Sequence, residues 1–103
     1  MEVIDNEPHF WFLFSDAGSL FLDVNCEHGA VSYNVLVQLS DQERADYAND
    51  GHEYLSKLAE KISYSAPGAV GSSSEYKNRN VASRYADAIN AAFSAWRAKE
   101  LEQ

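Results

Sequence analysis

Leu20, Leu22, Val24 and Cys26 alternate with Phe21, Asp23 and Asn25, the period of two expected of a strand whose faces see different surroundings. Upstream, the run from His9 to Ser15 (HFWFLFS) is rich in aromatic residues that favour strands. Between them Asp16-Ala17-Gly18-Ser19 reads as a hairpin turn, with Gly18 available for a positive φ. A turn at Ala17-Gly18 sets Trp11 opposite Val24, Leu13 opposite Leu22 and His9 opposite Cys26. A second turn, within Glu27-His28-Gly29-Ala30, sets Cys26 opposite Val31, Val24 opposite Tyr33, Leu22 opposite Val35 and Leu20 opposite Val37. Both registers bring the apolar positions of three strands onto one face, and a slip of one residue would undo that match.

The other face carries Phe10, Phe12, Phe14 and Phe21 beside Asp23, Asn25, Ser32, Asn34 and Leu36. It is greasy on the first strand and polar across the next two. Large exposed apolar patches are rare on monomers. Either a helix or the amino-terminal tail therefore covers the phenylalanines, or they form a partner or dimer surface.

After Leu39 the period changes. Ser40-Asp41-Gln42-Glu43 is a capping box, and a helix is expected from Asp41 to about Ser63. Tyr47, Gly51, Tyr54, Leu55, Leu58 and Ile62 fall on one arc of it, with Gly51 marking a close approach or a kink. Glu43, Asp46, Asp50 and Glu53 fall on the outward side as an acidic stripe. Residues 64–74 are rich in Gly, Ser and Pro and read as a loop, without the lysine of a phosphate-binding P-loop. A last helix over 75–100 carries Val81, Tyr85, Ala88, Ile89, Ala92, Phe93 and Trp96 as its apolar stripe. Two starts compete: the capping box Ser72-Ser73-Ser74-Glu75, and a later start capped by Asn80. Residues 1–8 read as an irregular tail closed by Pro8.

The pattern predicts one α+β domain: a three-stranded antiparallel meander in order 1-2-3 over residues 9–39, then two helices packed on it, β-β-β-α-α. At 103 residues the chain is long enough for a core of its own. It holds a single cysteine, so no internal disulfide is possible. The acidic start lacks the pattern of a signal peptide, and no stretch reaches membrane-spanning length, so a cytoplasmic location is expected.

Charge changes the picture. Residues 1–56 hold eleven acids and one base, Arg44, for −10, whereas residues 57–103 hold five acids and seven bases, for +2. Such a chain repels nucleic acid and anionic membranes and is steered towards basic partners. Lys77, Arg79 and Arg84 form a basic cluster that is expected to balance acids of the same molecule or to solvate the surface.

Chemistry leaves few candidates. His9, Cys26 and His28 converge in the expected register, yet Cys26-Glu27-His28 is not a common zinc spacing and no fourth ligand is evident. Asp23 with Asn25 and Asn34 is the only polar group set beside aromatics. No metal, cofactor or catalytic residue is assigned. The expected function is that of a non-enzymatic acidic module that masks a basic surface of another protein, as immunity proteins of similar size and charge do. That likeness is one of size, charge and compartment, not of motif. Glu43, Asp46, Asp50 and Glu53 are the expected docking residues, with Phe10, Phe12 and Phe14 as apolar anchors if they are exposed. The alternatives are a homodimer that buries the phenylalanine face and a small metal or thiol enzyme built on His9, Cys26 and His28.

Overall fold

The computed structural model describes residues 1–28, 31–65 and 74–101. The chain is α+β, with one antiparallel meander of four strands: β1 (Glu2–Glu7), β2 (Trp11–Asp16), β3 (Ser19–His28) and β4 (Val31–Gln38), in spatial order 1-2-3-4. α1 (Asp41–Asp50) and α2 (His52–Tyr64) cover one face, and α3 (Ala86–Leu101) covers the other. On the first face Trp11, Leu13, Leu22, Val24, Val35 and Val37 pack against Leu55, Leu58, Ala59 and Ile62. On the second, Phe14, Phe21 and Leu36 pack against Ala92, Ile89 and Phe93, with Met1 and Val3 closing the margin. Each fully buried apolar side chain contributes about 1.5–3 kcal/mol, so both helical layers are held mainly by burial.

β2 and β3 pair in the expected register, with Trp11 opposite Val24 and Leu13 opposite Leu22. Ala17 and Gly18 both take positive φ (49° and 87°), as the tight turn of a two-residue hairpin requires. The next pair is displaced by two residues from expectation. Val24 faces Val35, Cys26 faces Tyr33, and His28 faces Val31. β3 runs one residue further than expected, to His28, and β4 starts one residue later, at Val31; residues 29–30 lie outside the described residues. A shift of two leaves every side chain on its own face, so the hydrophobic pattern cannot detect it.

Three further corrections concern element bounds. The amino-terminal segment is not an irregular tail but the edge strand β1. The single helix expected over 41–63 is two helices, because Gly51 adopts φ 69°, ψ −146°, a region that breaks the helix and that only glycine enters readily. No heavy atom lies within 4 Å of a Cβ placed at Gly51, so close approach is not the reason for the glycine. α3 starts at Ala86 rather than near residue 75; it covers the phenylalanine face, one of the two readings of that face, and so lies across the sheet from α1 and α2. The preceding segment is held as backbone along the edge of β4: Val81 N–H donates to Leu36 O at 2.8 Å, and Asn80 Oδ1 accepts from Leu36 N–H and Ala82 N–H, each at 3.1 Å. A backbone paired to a strand cannot also make helical bonds, and a 3-10 turn, Ala82–Arg84, leads into α3. Of the loop expected over 64–74, residues 66–73 lie outside the described residues.

Candidate functional site

Three strands build the candidate site by pairing in rows. On the α3 side Phe12 stands opposite Asp23, and Asp23 stands opposite Leu36; in the next row Asn25 stands opposite Asn34. α3 crosses the phenylalanine end of this face. Phe93 meets both Phe12 and Phe14 edge-on, with ring centroids 4.8 and 5.2 Å apart, and Trp96 meets Phe12 at 5.1 Å. At the polar end two adjoining hollows remain, of about 210 and 270 Å³, which share Asp23, Asn34 and Phe93. His9, Phe10, Phe12 and Asn25 complete the first hollow, whereas Leu36, Ala82, Ala86, Ile89 and Asn90 complete the second.

Asp23 is 5% exposed. Its carboxylate accepts from Asn34 Nδ2, at 3.2 Å to Oδ1 and 3.4 Å to Oδ2, and no cation pairs with it among the described residues. Burial pushes its pKa up to about 6 despite the Asn34 hydrogen bond. At neutral pH it is thus an ionised carboxylate enclosed among aromatic rings.

The expected acidic stripe is divided. Glu43 is a structural residue: Ser40 and Glu43 form the capping box, and Arg79 donates to both Glu43 oxygens and to Gln38 O. Burial pushes the Glu43 carboxyl up, but the Arg79 and Ser40 hydrogen bonds and the Arg79 charge outweigh it, leaving the pKa below its ordinary value. Asp46 is half-buried and accepts from Gln42 Nε2 at 3.0 Å. Asp50 and Glu53 are exposed, and the break at Gly51 puts them on different helices. Arg79 also explains part of the basic cluster, as a strut between α1, β4 and the Tyr76 ring. Of the three phenylalanines, Phe14 is fully enclosed beneath α3 and Phe12 is half-buried at the hollow, while Phe10, expected on the same face, borders the hollow but packs against the core on the α1–α2 side.

His9 and Cys26 do not meet. The β1–β2 turn turns on Pro8 and His9, the latter at φ 65°, with Phe10 N–H bonded to Glu7 O at 3.0 Å, and this directs His9 to the hollow on the α3 side. Cys26 is fully buried on the opposite face, where burial pushes its thiol up to about 11, against the Ser63 hydrogen bond and with the Asp23 charge adding to the rise. The His28 side chain lies outside the described residues. Among the described residues no group of three His, Cys, Asp or Glu side chains is placed to hold a metal ion.

One polar cluster had no signal in the sequence. β1 bulges at Ile4, so that Val3 faces Phe14 but Asp5 faces Leu13 and Glu7 faces Trp11. The extra residue turns both carboxylates to the α2 side, where His52 Nδ1 meets Asp5 at 3.0 Å and Nε2 meets Glu7 at 2.8 Å. Hydrogen bonds to Asp5 and then Glu7 raise the His52 pKa, against a small opposing effect of burial. Tyr47 O–H donates to Asp5 at 3.3 Å, and the His52 ring lies 4.7 Å from that of Trp11. The two carboxylates grip opposite ring nitrogens instead of converging on a point, so the cluster clips β1 to the helices.

No protein-family model, curated protein or solved structure matches this chain. Among the described residues no helix is long and apolar enough to cross a membrane.

Proposed function

We propose that this chain is a non-enzymatic acidic module that docks on a basic surface of another protein, in the manner of an immunity or inhibitor protein acting in the cytoplasm. The observation that supports this reading is the placement of Asp50 on α1. It is exposed, closes the last turn of a helix with no base in that turn, and follows Asp46 at i+4. Both arrangements oppose helix stability, the first through the macrodipole and the second through like-charge repulsion. Asp50 makes no ion pair among the described residues; Glu53 is likewise exposed and unpaired there, although its place in the first turn of α2 suits that helix's dipole. An acid such as Asp50, which the fold does not use and which weakens its helix, is suited to steering a positively charged partner.

The docking set is accordingly narrowed to Asp46, Asp50 and Glu53, because Glu43 is already engaged by Arg79. Capture of a basic protein by the wild-type chain, weakened by salt and lost with Asp46→Lys/Asp50→Lys/Glu53→Lys, supports the reading. Equal capture by both chains at every salt concentration refutes it.

A further inference from the structure

We propose that the hollow around Asp23 is a binding site for an aliphatic primary ammonium group. The inference is independent of docking by the acidic helices, since the hollow lies on the α3 side of the sheet and Asp46, Asp50 and Glu53 lie on the other.

An ionised carboxylate that is 5% exposed, with one amide as its hydrogen-bond partner and no cation beside it among the described residues, carries a large desolvation penalty. A cation entering the hollow offsets part of that penalty, and the Phe12 and Phe93 rings that line it are suited to a positive charge. Asn34 Nδ2 already spans both carboxylate oxygens, which occupies the edge that a guanidinium fork would need. An ammonium needs only one remaining lone pair, because it binds as a point charge. That distinction selects the amine over the guanidine.

The adjoining hollow fits the rest of such a ligand. Leu36, Ala82, Ala86 and Ile89 line it with apolar surface continuous with Asp23. At about 210 and 270 Å³, each hollow holds roughly the volume of seven to nine waters, enough for an ammonium and its methylenes. The same chemistry is carried by a free alkylamine and by the lysine side chain of a protein, and the experiment separates the two.

The isotope-labelled chain is titrated by NMR at about pH 7.5, where Asp23 is ionised. The probes are n-butylammonium chloride, blocked lysine (Nα-acetyl-lysine methylamide) and uncharged n-butanol. His9 is the other titratable side chain lining the hollows among the described residues, so its ring is followed as well. The proposal expects saturable shifts of the Asp23 carboxyl and the Asn34 side-chain amide with an ammonium probe, none with n-butanol, and a fall in the apparent Asp23 pKa at saturation. Asp23→Asn should weaken binding by about tenfold or more. Blocked lysine binding at least as tightly as n-butylammonium assigns the site to a protein side chain, and its exclusion while n-butylammonium binds assigns it to a free amine. No saturable shift with either ammonium, equal shifts with n-butanol, or undiminished binding by Asp23→Asn overturns the proposal. The n-butanol comparison on the wild-type chain decides even if Asp23→Asn fails to fold.

Discussion

Asp23 and Asn34 stand diagonally across β3 and β4, and the Asn34 amide donates to both oxygens of the Asp23 carboxylate. The pair settles hydrogen bonding but leaves the charge unmatched. The folded pKa of about 6 lies above the ordinary 3.8, so between these values the folded chain holds a proton that the unfolded chain has released. Stability therefore falls as pH rises from about 4 to about 6. Asp23→Asn is expected to stabilise the unliganded chain by ~1–3 kcal/mol above pH 6, with the gain vanishing below about pH 4. Urea unfolding at the two pH values checks it.

Glu43 and Arg79 predict the opposite sign in acid. The Glu43 side chain is 13% exposed and its pKa is lowered on folding, so its contribution is present above the unfolded value of about 4.3 and is lost as pH falls through the folded value. Arg79→Met should cost about 1–2 kcal/mol at neutral pH, the partial exposure of Arg79 keeping it below a fully buried pair. The same variant should flatten the acid limb of the stability profile, measured by thermal unfolding across pH.

Two backbone positions predict changes without any contact being lost. Gly51→Ala meets open space yet forces a side chain into a conformation that only glycine adopts easily, and should cost about 1–2 kcal/mol. Ala17 occupies a positive-φ position where asparagine is preferred, and Ala17→Asn should stabilise by about 0.5–1 kcal/mol. Chemical denaturation of both variants tests the pair of signs.

Asp50→Lys should raise the stability of the free chain by ~0.3–1 kcal/mol, because it removes a repulsive pair and complements the end of the α1 dipole. A loss of stability on this substitution would show that Asp50 serves the fold.

β2, β3 and β4 were legible because their period of two is long and because Ala17-Gly18 fixes one register. The same periodicity was blind to the two-residue displacement of β4. β1 escaped notice for a physical reason: Asp5, Asn6 and Glu7 are poor strand formers, tolerable at a sheet edge, and the bulge at Ile4 scrambles the alternation. Without the bulge, nothing in the sequence aims Asp5 and Glu7 at His52. The late start of α3 depends on Asn80 and Val81 bonding to Leu36, a long-range pairing that outweighs local capping signals. Asp23 was visible as an acid among aromatics on the phenylalanine face. Its enclosure was not, since that depends on where Phe93 of α3 comes to rest.

The most direct measurement is capture from a lysate of the source organism over a salt series. The baits are the wild-type chain and Asp46→Lys/Asp50→Lys/Glu53→Lys, both verified as folded by circular dichroism. The account predicts that wild type retains a strongly basic protein, that retention weakens steeply with salt, and that the triple variant loses it at every salt concentration. Retention of the same protein by both baits, or of no basic protein by either, would contradict the docking role of the α1–α2 surface.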